Sequence, residues 1–430
     1  MQAGDTIMAL SSGALPAGVA VIRLSGPGVQ AALAEIGGGV PRPRQLSLRK
    51  IGVGQILDQG LVAYFPAPHS FTGEDCAELQ VHGSPAGVKA ILNQLATLGL
   101  RLAEAGDFTR RAFENGKLDL VEVEGLGDLI SAETEKQRQQ ALARFDGRLT
   151  ETIAQWRESL LDLRAEIEAR LDFSDEADVA DDLPRHWLGQ LGALETAIQS
   201  ALASLEGGRI VREGIRIALA GAPNVGKSSL INALANSDLA IVSDEAGTTR
   251  DVREVPLDID RQLFVLLDLA GLRESDSKAE VEGVRRAQQA IETADIVLWL
   301  TAPDVADIVP PKITGQMLRI GTKADLGAQA NVDISISTRS TEGMSALRQR
   351  LASLAEGLAG PEPSLVSHER DRLALSSALA ALDETRRNLS DWELAAESLR
   401  RASAALERLI GRIDAERVLD RLFSSFCIGK

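Results

Sequence analysis

Gly221-Ala-Pro-Asn-Val-Gly-Lys-Ser228 has the spacing G-x-x-x-x-G-K-[ST] of a phosphate-binding loop. Its flanks fit. Residues 215–220 read as a buried strand leading in, and residues 228–234 as a helix leading out. The glycines let backbone N–H groups curl around phosphate oxygens, and the helix N-terminus faces the anion. In such a loop Lys227 reaches the β- and γ-phosphates and Ser228 ligates Mg²⁺, with Asn224, Val225, Gly226 and Ser229 completing the cradle.

The motifs that follow select the nucleotide. Gly247-Thr-Thr-Arg-Asp251 suits a loop that brings Thr248 or Thr249 to the metal beside the γ-phosphate. The apolar run 263–267 ends in Asp268-Leu-Ala-Gly271, where Asp268 holds Mg²⁺ through water and the Gly271 N–H faces the γ-phosphate. Thr322-Lys-Ala-Asp325 follows a strand at 317–321. A carboxylate there accepts from both N1–H and the 2-amino group of guanine, an edge that adenine lacks, and the Lys323 stem covers the base plane. Residues 334–337, with Ser337 and Thr338, are placed to offer a backbone N–H to guanine O6. Read singly, each motif is also an ordinary turn; in this order, each at a strand end, they read as a GTP site. Leu272 stands where Ras-like enzymes carry a water-positioning Gln, so the catalytic group must come from elsewhere. The Asn224 amide oxygen is suited either to a monovalent cation beside the phosphates or to a hydrogen bond that shapes the loop.

The rest of the composition sets limits. A length of 430 residues implies about two to four domains. With a net charge of −16, the molecule as a whole is no nucleic-acid glove, so RNA contact needs a local basic patch or a partner. The two cysteines, Cys76 and Cys427, lack metal-ligand spacing and fit a reducing, cytoplasmic setting. No apolar run is long enough to span a membrane, and the first residues show no basic signal-peptide region.

Along the chain, residues 1–118 read as a small α+β domain, with strands at 18–25 and 76–82, a hairpin turning at Asp58-Gln-Gly60, and helices at 85–98 and 108–114. Leu142, Phe145, Leu149, Ile153, Trp156, Leu160, Leu163, Ile167 and Leu171 form one apolar seam, which predicts a single long helix. An acid-rich loop follows, and then a helix carrying Leu188 to Leu205 that ends at Gly207-Gly208. Residues 214–365 alternate strands and helices, and 366–430 turn helical again. The predicted fold is therefore multidomain, α/β and all-α. It consists of an N-terminal α+β domain (1–118), a discontinuous helical bundle (119–213 and 366–430) and an inserted Ras-like P-loop GTPase domain (214–365). The connection between the strands at 296–300 and 317–321 is short and carries Pro310-Pro311, so its crossover helix is predicted to be shortened or missing.

Asn224-Val-Gly-Lys-Ser-Ser229 and the 240–251 segment resemble GTPases of the Era and TrmE group. Outside the GTPase, Ser70-Phe-Thr-Gly-Glu-Asp75, Glu78-Leu-Gln-Val-His-Gly83, the 106–120 segment and the terminal Phe426-Cys-Ile-Gly-Lys430 resemble the MnmE (TrmE) family. The resemblance runs over nearly the whole chain. It implies a potassium-activated GTPase that works as a homodimer with an MnmG-type FAD protein. The pair adds a (carboxymethyl)aminomethyl group at C5 of the tRNA wobble uridine, using a one-carbon unit from a tetrahydrofolate derivative. The alternative is a GTPase switch in ribosome assembly or regulation.

The resemblance also implies site residues. Asn224, Ser243, the backbone at Glu245 and Thr248 would hold K⁺; Ser228 and Thr249 would hold Mg²⁺. Glu280 would orient water, with Glu282 the alternative. Arg23, Glu78, Lys117 and Lys430 fall on the family's folate positions. Arg23 could pair the glutamate tail and Glu78 the pterin edge; without the resemblance, Arg23 and Lys117 read rather as surface charges and Glu78 as an exposed strand residue. Ser243 and Thr322 keep a hydrogen-bonding group where Thr and Asn are expected. Cys427 reads evenly as a nucleophile or as a small buried residue.

Overall fold

The computed structural model describes residues 4–172, 183–241, 254–267, 290–310, 313, 315–360, 364–412, 423, 426 and 429. They fall into two compact units, one from Met1–Gly127 and Leu406–Lys430, the other from Asp128–Ala405.

The first unit is built on a six-stranded sheet. Its strands are β1 (Ile7–Leu10), β2 (Ala17–Ser25), β3 (Ser47–Ile51), β4 (Asp58–Phe65), β5 (Cys76–Gly83) and β6 (Arg101–Leu102). The spatial order is β3-β4-β5-β2-β1-β6, antiparallel except for the β1/β6 pair. Helices α1 (Val29–Ile36) and α2 (Pro85–Thr97) cover one face, where Leu33, Ile36, Ile91 and Leu95 pack on Ile22, Leu24, Val62 and Leu79. This is the period-2 against period-3.6 match expected of an α+β layer. Helix α3 (Asp107–Glu114) sets Phe108 against Ile7 and Ala9. The hairpin differs from expectation. Asp58-Gln-Gly60 lies inside β4, and the turn is at 52–57. Gly60 is needed for close strand approach, since a Cβ there would sit 2.2 Å from the Gln80 carbonyl oxygen. Phe423 and Phe426, with ring centroids 5.9 Å apart, join Leu120 and Val123 in a small cluster of this unit.

The second unit holds the other six-stranded sheet, ordered β12-β11-β10-β7-β9-β8. It comprises β7 (Ile215–Gly221), β8 (Glu254–Ile259), β9 (Gln262–Leu267), β10 (Ile296–Thr301), β11 (Gln316–Gly321) and β12 (Ile334–Ser335). All neighbours are parallel except β8, which returns antiparallel to β9. The central β7 and β10 read as near-continuous apolar runs, as strands buried on both faces must. Between β10 and β11 there is no helix among the described residues, as the short connection predicted.

The helical segments are α4 (Leu120–Ser131), α5 (Glu135–Phe145), α6 (Arg148–Asp172), α7 (Arg185–Ala203), α8 (Leu205–Glu213), α9 (Lys227–Ala235), α10 (Met344–Ala359), α11 (Glu369–Arg387) and α12 (Trp392–Leu409). Two predictions fail here. The long apolar seam is broken at Asp146-Gly147, where Gly147 takes φ 82°, a left-handed value that ends α5. Gly207-Gly208 lie inside α8 rather than ending the preceding helix. A Cβ on Gly208 would sit 2.2 Å from the Val366 carbonyl oxygen, so these glycines permit close packing.

Helix α5 grips both chain segments that lead into and out of the sheet. Gln137 Nε2 donates to the Arg212 carbonyl (2.9 Å), and Gln140 Nε2 donates to those of Gly208 (3.1 Å) and Ser364 (2.6 Å). One turn on, Arg144 Nη1 bonds Asp371 Oδ2 at 2.8 Å, with both side chains fully buried.

Candidate functional site

Strand β7 ends in the phosphate loop, and α9 begins at Lys227. The loop needs unusual backbone. Gly221, Asn224 and Gly226 take φ 139°, 62° and 99°, and a Cβ on Gly221 would meet the Leu300 carbonyl oxygen at 2.3 Å. Asn224 is the non-glycine member of this set, and its side chain is carried on the exposed part of the loop. Val225 is fully buried and anchors the loop from below. Lys227 Nζ donates to the Gly221 (2.9 Å) and Ala222 (2.8 Å) carbonyls. Burial holds its ammonium below the ordinary lysine range. Ser228 and Ser229, in the first turn of α9, are exposed. Left-handed turns, a helix N-terminus and a partly desolvated ammonium together fit a polyphosphate.

The base-reading stretch lies at the end of β11. Thr322 is buried, and its hydroxyl donates to the Val225 carbonyl and to that of Thr301 (2.9 Å). A residue expected to contact nucleotide therefore spends its one proton tying the base strand to the phosphate loop. Asp325 lies in the short 3-10 turn Ala324–Leu326. Its Oδ1 accepts from the buried Ser337 hydroxyl at 2.8 Å, which fixes the carboxylate plane. The Ser337 N–H is already used, by the Glu342 carbonyl at 3.0 Å, so Thr338 is the next N–H in that loop. Lys323 has φ 53°, and its ammonium meets both oxygens of Asp304, a residue sequence reasoning missed. The structure thus brings together Asn224, Val225, Gly226, Lys227, Thr322, Lys323, Asp325 and Ser337. Ser243, Glu245, Thr248, Thr249, Asp268, Gly271, Leu272, Glu280 and Glu282 lie outside the described residues, as do Cys427 and Lys430.

In the first unit, Arg23 and Glu78 are cross-strand partners and bond each other, with Nη2 to Oε1 at 2.9 Å. The Arg23 guanidinium also lies 5.7 Å from the Phe71 ring centroid and 5.9 Å from that of Phe108. Each charge expected to face a ligand is already neutralised by the other, so a bound anion would have to share Arg23. Lys117 runs along Gly73, whose Cβ would lie 3.2 Å from Lys117 Cγ; the 70–75 loop thereby links Phe71 to Lys117. The deeper network was not anticipated. Arg111, nearly buried, donates through Nη1 to Glu74 Oε2 (2.7 Å) and to the Asp5 (3.1 Å) and Ser25 (3.2 Å) carbonyls, and through Nη2 to the Asp5 carboxylate. Burial would raise the Asp5 carboxyl, but Arg101 and Arg111 outweigh it and hold it below the usual range. Ser25 and Thr72 share a hydroxyl bond of 2.7 Å, and Thr72 bonds Cys76 Sγ at 3.1 Å, which accounts for Cys76 as a core residue. The only sequence signal was the presence of Glu74 and Arg111 within the two stretches that carried the family resemblance.

Among the described residues, no group of three or more His, Cys, Asp or Glu side chains could hold a metal, and no helix is long and apolar enough to cross a membrane.

A parallel sheet with a phosphate loop after one strand and a Thr-Lys-x-Asp carboxylate after another defines the guanine-nucleotide-binding P-loop class. Comparison with known proteins narrows this. The family model "MnmE helical domain" matches residues 120–427, and "GTP-binding protein TrmE N-terminus" matches residues 6–117. The tRNA modification GTPase MnmE of Azorhizobium caulinodans is 49% identical over 436 residues, covering 100% of both chains. That of Rhizobium meliloti is 49% identical over 442 residues, again covering 100% of both. That of Methylorubrum populi is 47% identical over 435 residues, covering 99% of this chain and 98% of the other. The chain belongs to the MnmE (TrmE) family.

Proposed function

We propose that this chain hydrolyses GTP to drive modification of the tRNA wobble uridine at C5, as a homodimer working with an MnmG-type FAD protein. One observation carries the nucleotide half of the reading. The buried Thr322 hydroxyl joins the phosphate loop to the base-reading turn, so phosphate and base are held at one fixed spacing. The near-full-length relatedness to tRNA modification GTPases supports the other half.

The chain's own residues divide the work. Gly226, Lys227 and the α9 N-terminus take the phosphates, and Asp325 takes the N1–H and 2-amino edge of guanine while Ser337 holds its carboxylate. Mg²⁺ at Ser228, Thr249 and Asp268, and K⁺ at Asn224, Ser243, Glu245 and Thr248, would supply the positive charge that phosphoryl transfer requires. Glu280 orients the attacking water. Arg23, Glu78 and Lys117 of the 1–118 domain, with Lys430 of the terminal motif, receive the tetrahydrofolate derivative, with Arg23 exchanging part of its bond to Glu78 for the folate carboxylate. The helical domain is 119–213 with 366–430, and the GTPase domain is 214–365.

Nucleoside analysis of tRNA from a strain lacking this chain tests the reading. The modified wobble uridines are expected to vanish and to return with the parent gene. Unchanged wobble uridines would defeat it and favour a regulatory or ribosome-assembly switch.

A further inference from the structure

We propose that Asp304 is a positioning residue of the nucleotide site, holding the Lys323 stem where it covers the guanine plane. This rests on the guanine reading of Asp325. Both Asp304 carboxylate oxygens accept from Lys323 Nζ, at 2.9 and 2.6 Å. Each end of the pair is set by backbone. On one side, β10 runs directly into a tight turn, with the Val305 N–H on the Ala302 carbonyl at 3.2 Å; no helix follows among the described residues to carry Asp304 away. On the other side, Lys323 sits in the left-handed region at φ 53°. It is held between Thr322, whose N–H bonds the Thr301 carbonyl (2.8 Å), and Ala324, whose N–H bonds the Ile336 carbonyl (3.1 Å). The strand ends that hold the phosphate loop therefore also fix the distance between Asp304 and Lys323.

The pair has little to do for stability. Lys323 is 29% and Asp304 47% exposed, and exposed ion pairs contribute little to folding. Its consequence lies in order. A lysine side chain free in water loses rotamers when a ligand seats against it, and one already tethered at its tip loses fewer, so less binding energy is spent on ordering. The Lys323 hydrogen bond also keeps the Asp304 carboxyl below the usual carboxylate range, so the tether persists wherever the protein is folded near neutrality.

The test uses the full chain and a double-mutant cycle read by GDP and GTP binding. Asp304→Ala is expected to weaken guanine-nucleotide affinity about two- to fivefold, the scale of one exposed ion pair, and to leave the thermal midpoint unmoved. KM for GTP should rise by a similar factor while kcat changes far less. Asp304→Glu should restore most of the loss, and the effect of Asp304→Ala should vanish in a Lys323→Ala background. Parent-like affinity in Asp304→Ala, or an equal loss with and without Lys323, would overturn the proposal. Failure of the underlying reading is separately visible. In that case the parent chain itself would bind ATP as well as GTP.

Discussion

Thr322 has a single hydroxyl proton, and that proton determines its role. In the buried setting between Val225 and Thr301, removing the hydroxyl takes this donor from the Val225 carbonyl, while the Thr301 carbonyl keeps the Thr322 N–H. Thr322→Val keeps the volume and is expected to cost about 1–3 kcal/mol of stability by chemical denaturation. It should also weaken nucleotide binding, because the phosphate loop loses its tie to the base strand, and Thr322→Ser should recover both. Asn224 tests a different residue-scale idea. Its left-handed backbone places the amide on the exposed part of the loop, where a cation can be shared with phosphate. GTP turnover by the parent is expected to be faster in potassium than in sodium. Asn224→Ala should abolish that difference; a potassium advantage retained in the variant would return Asn224 to a loop-shaping role. At this scale the motif positions were legible because spacing alone marks them. Their partners were not. Nothing in the sequence near Thr322 or Lys323 points to Val225 or Asp304, which become neighbours only when parallel strands align their ends.

Among the elements, α5 shows most clearly where periodicity runs out. Apolar spacing ran straight through Asp146-Gly147 because hydrophobic pattern does not register a left-handed glycine until the chain turns there. The polar face of α5 was equally silent. Gln137, Gln140 and Arg144 are polar, yet they are buried and bond backbone on both sides of the inserted sheet. Arg144 and Asp371 are 227 positions apart in sequence. Burial alone would raise the Asp371 carboxyl, but the Arg144 charge, with His368, the Arg144 hydrogen bond and Arg370, outweighs it and holds it below the ordinary range. A carboxyl with a depressed folded-state pKa contributes stability that is present above its unfolded value and is lost as pH falls through the folded one. Unfolding midpoints of the parent should therefore decline on acidification below about pH 4. Asp371→Asn should be less stable at neutral pH, since Arg144 is left buried without its countercharge, by about 3–5 kcal/mol. Its midpoints should also be flatter across the acid range, and an acid profile parallel to that of the parent would show that Asp371 does not carry the linkage.

The whole molecule was legible in outline because its parts use different periods. Alternating strands mark the first sheet, near-continuous apolar strands mark the second, and helical spacing marks the segments between. What could not be read was how the parts group. Among the described residues, Phe423, Phe426 and Gly429 lie in the first unit, with the Ser11 hydroxyl on the Gly429 carbonyl at 2.8 Å. The folate positions also looked like independent charges, whereas Arg23 and Glu78 form one pair across adjacent strands. The described part of the expected nucleotide site lies at the ends of β7 and β11, and parallel topology brings strand ends together. On the proposed reading, this site selects guanine through the Asp325 carboxylate. Turnover of GTP and XTP by the parent and by Asp325→Asn measures it, since the 2-oxo group of xanthine complements an amide where the 2-amino group of guanine complements a carboxylate. The parent should hydrolyse GTP in preference to XTP, and Asp325→Asn should reverse the order; a variant that still prefers GTP would contradict the account.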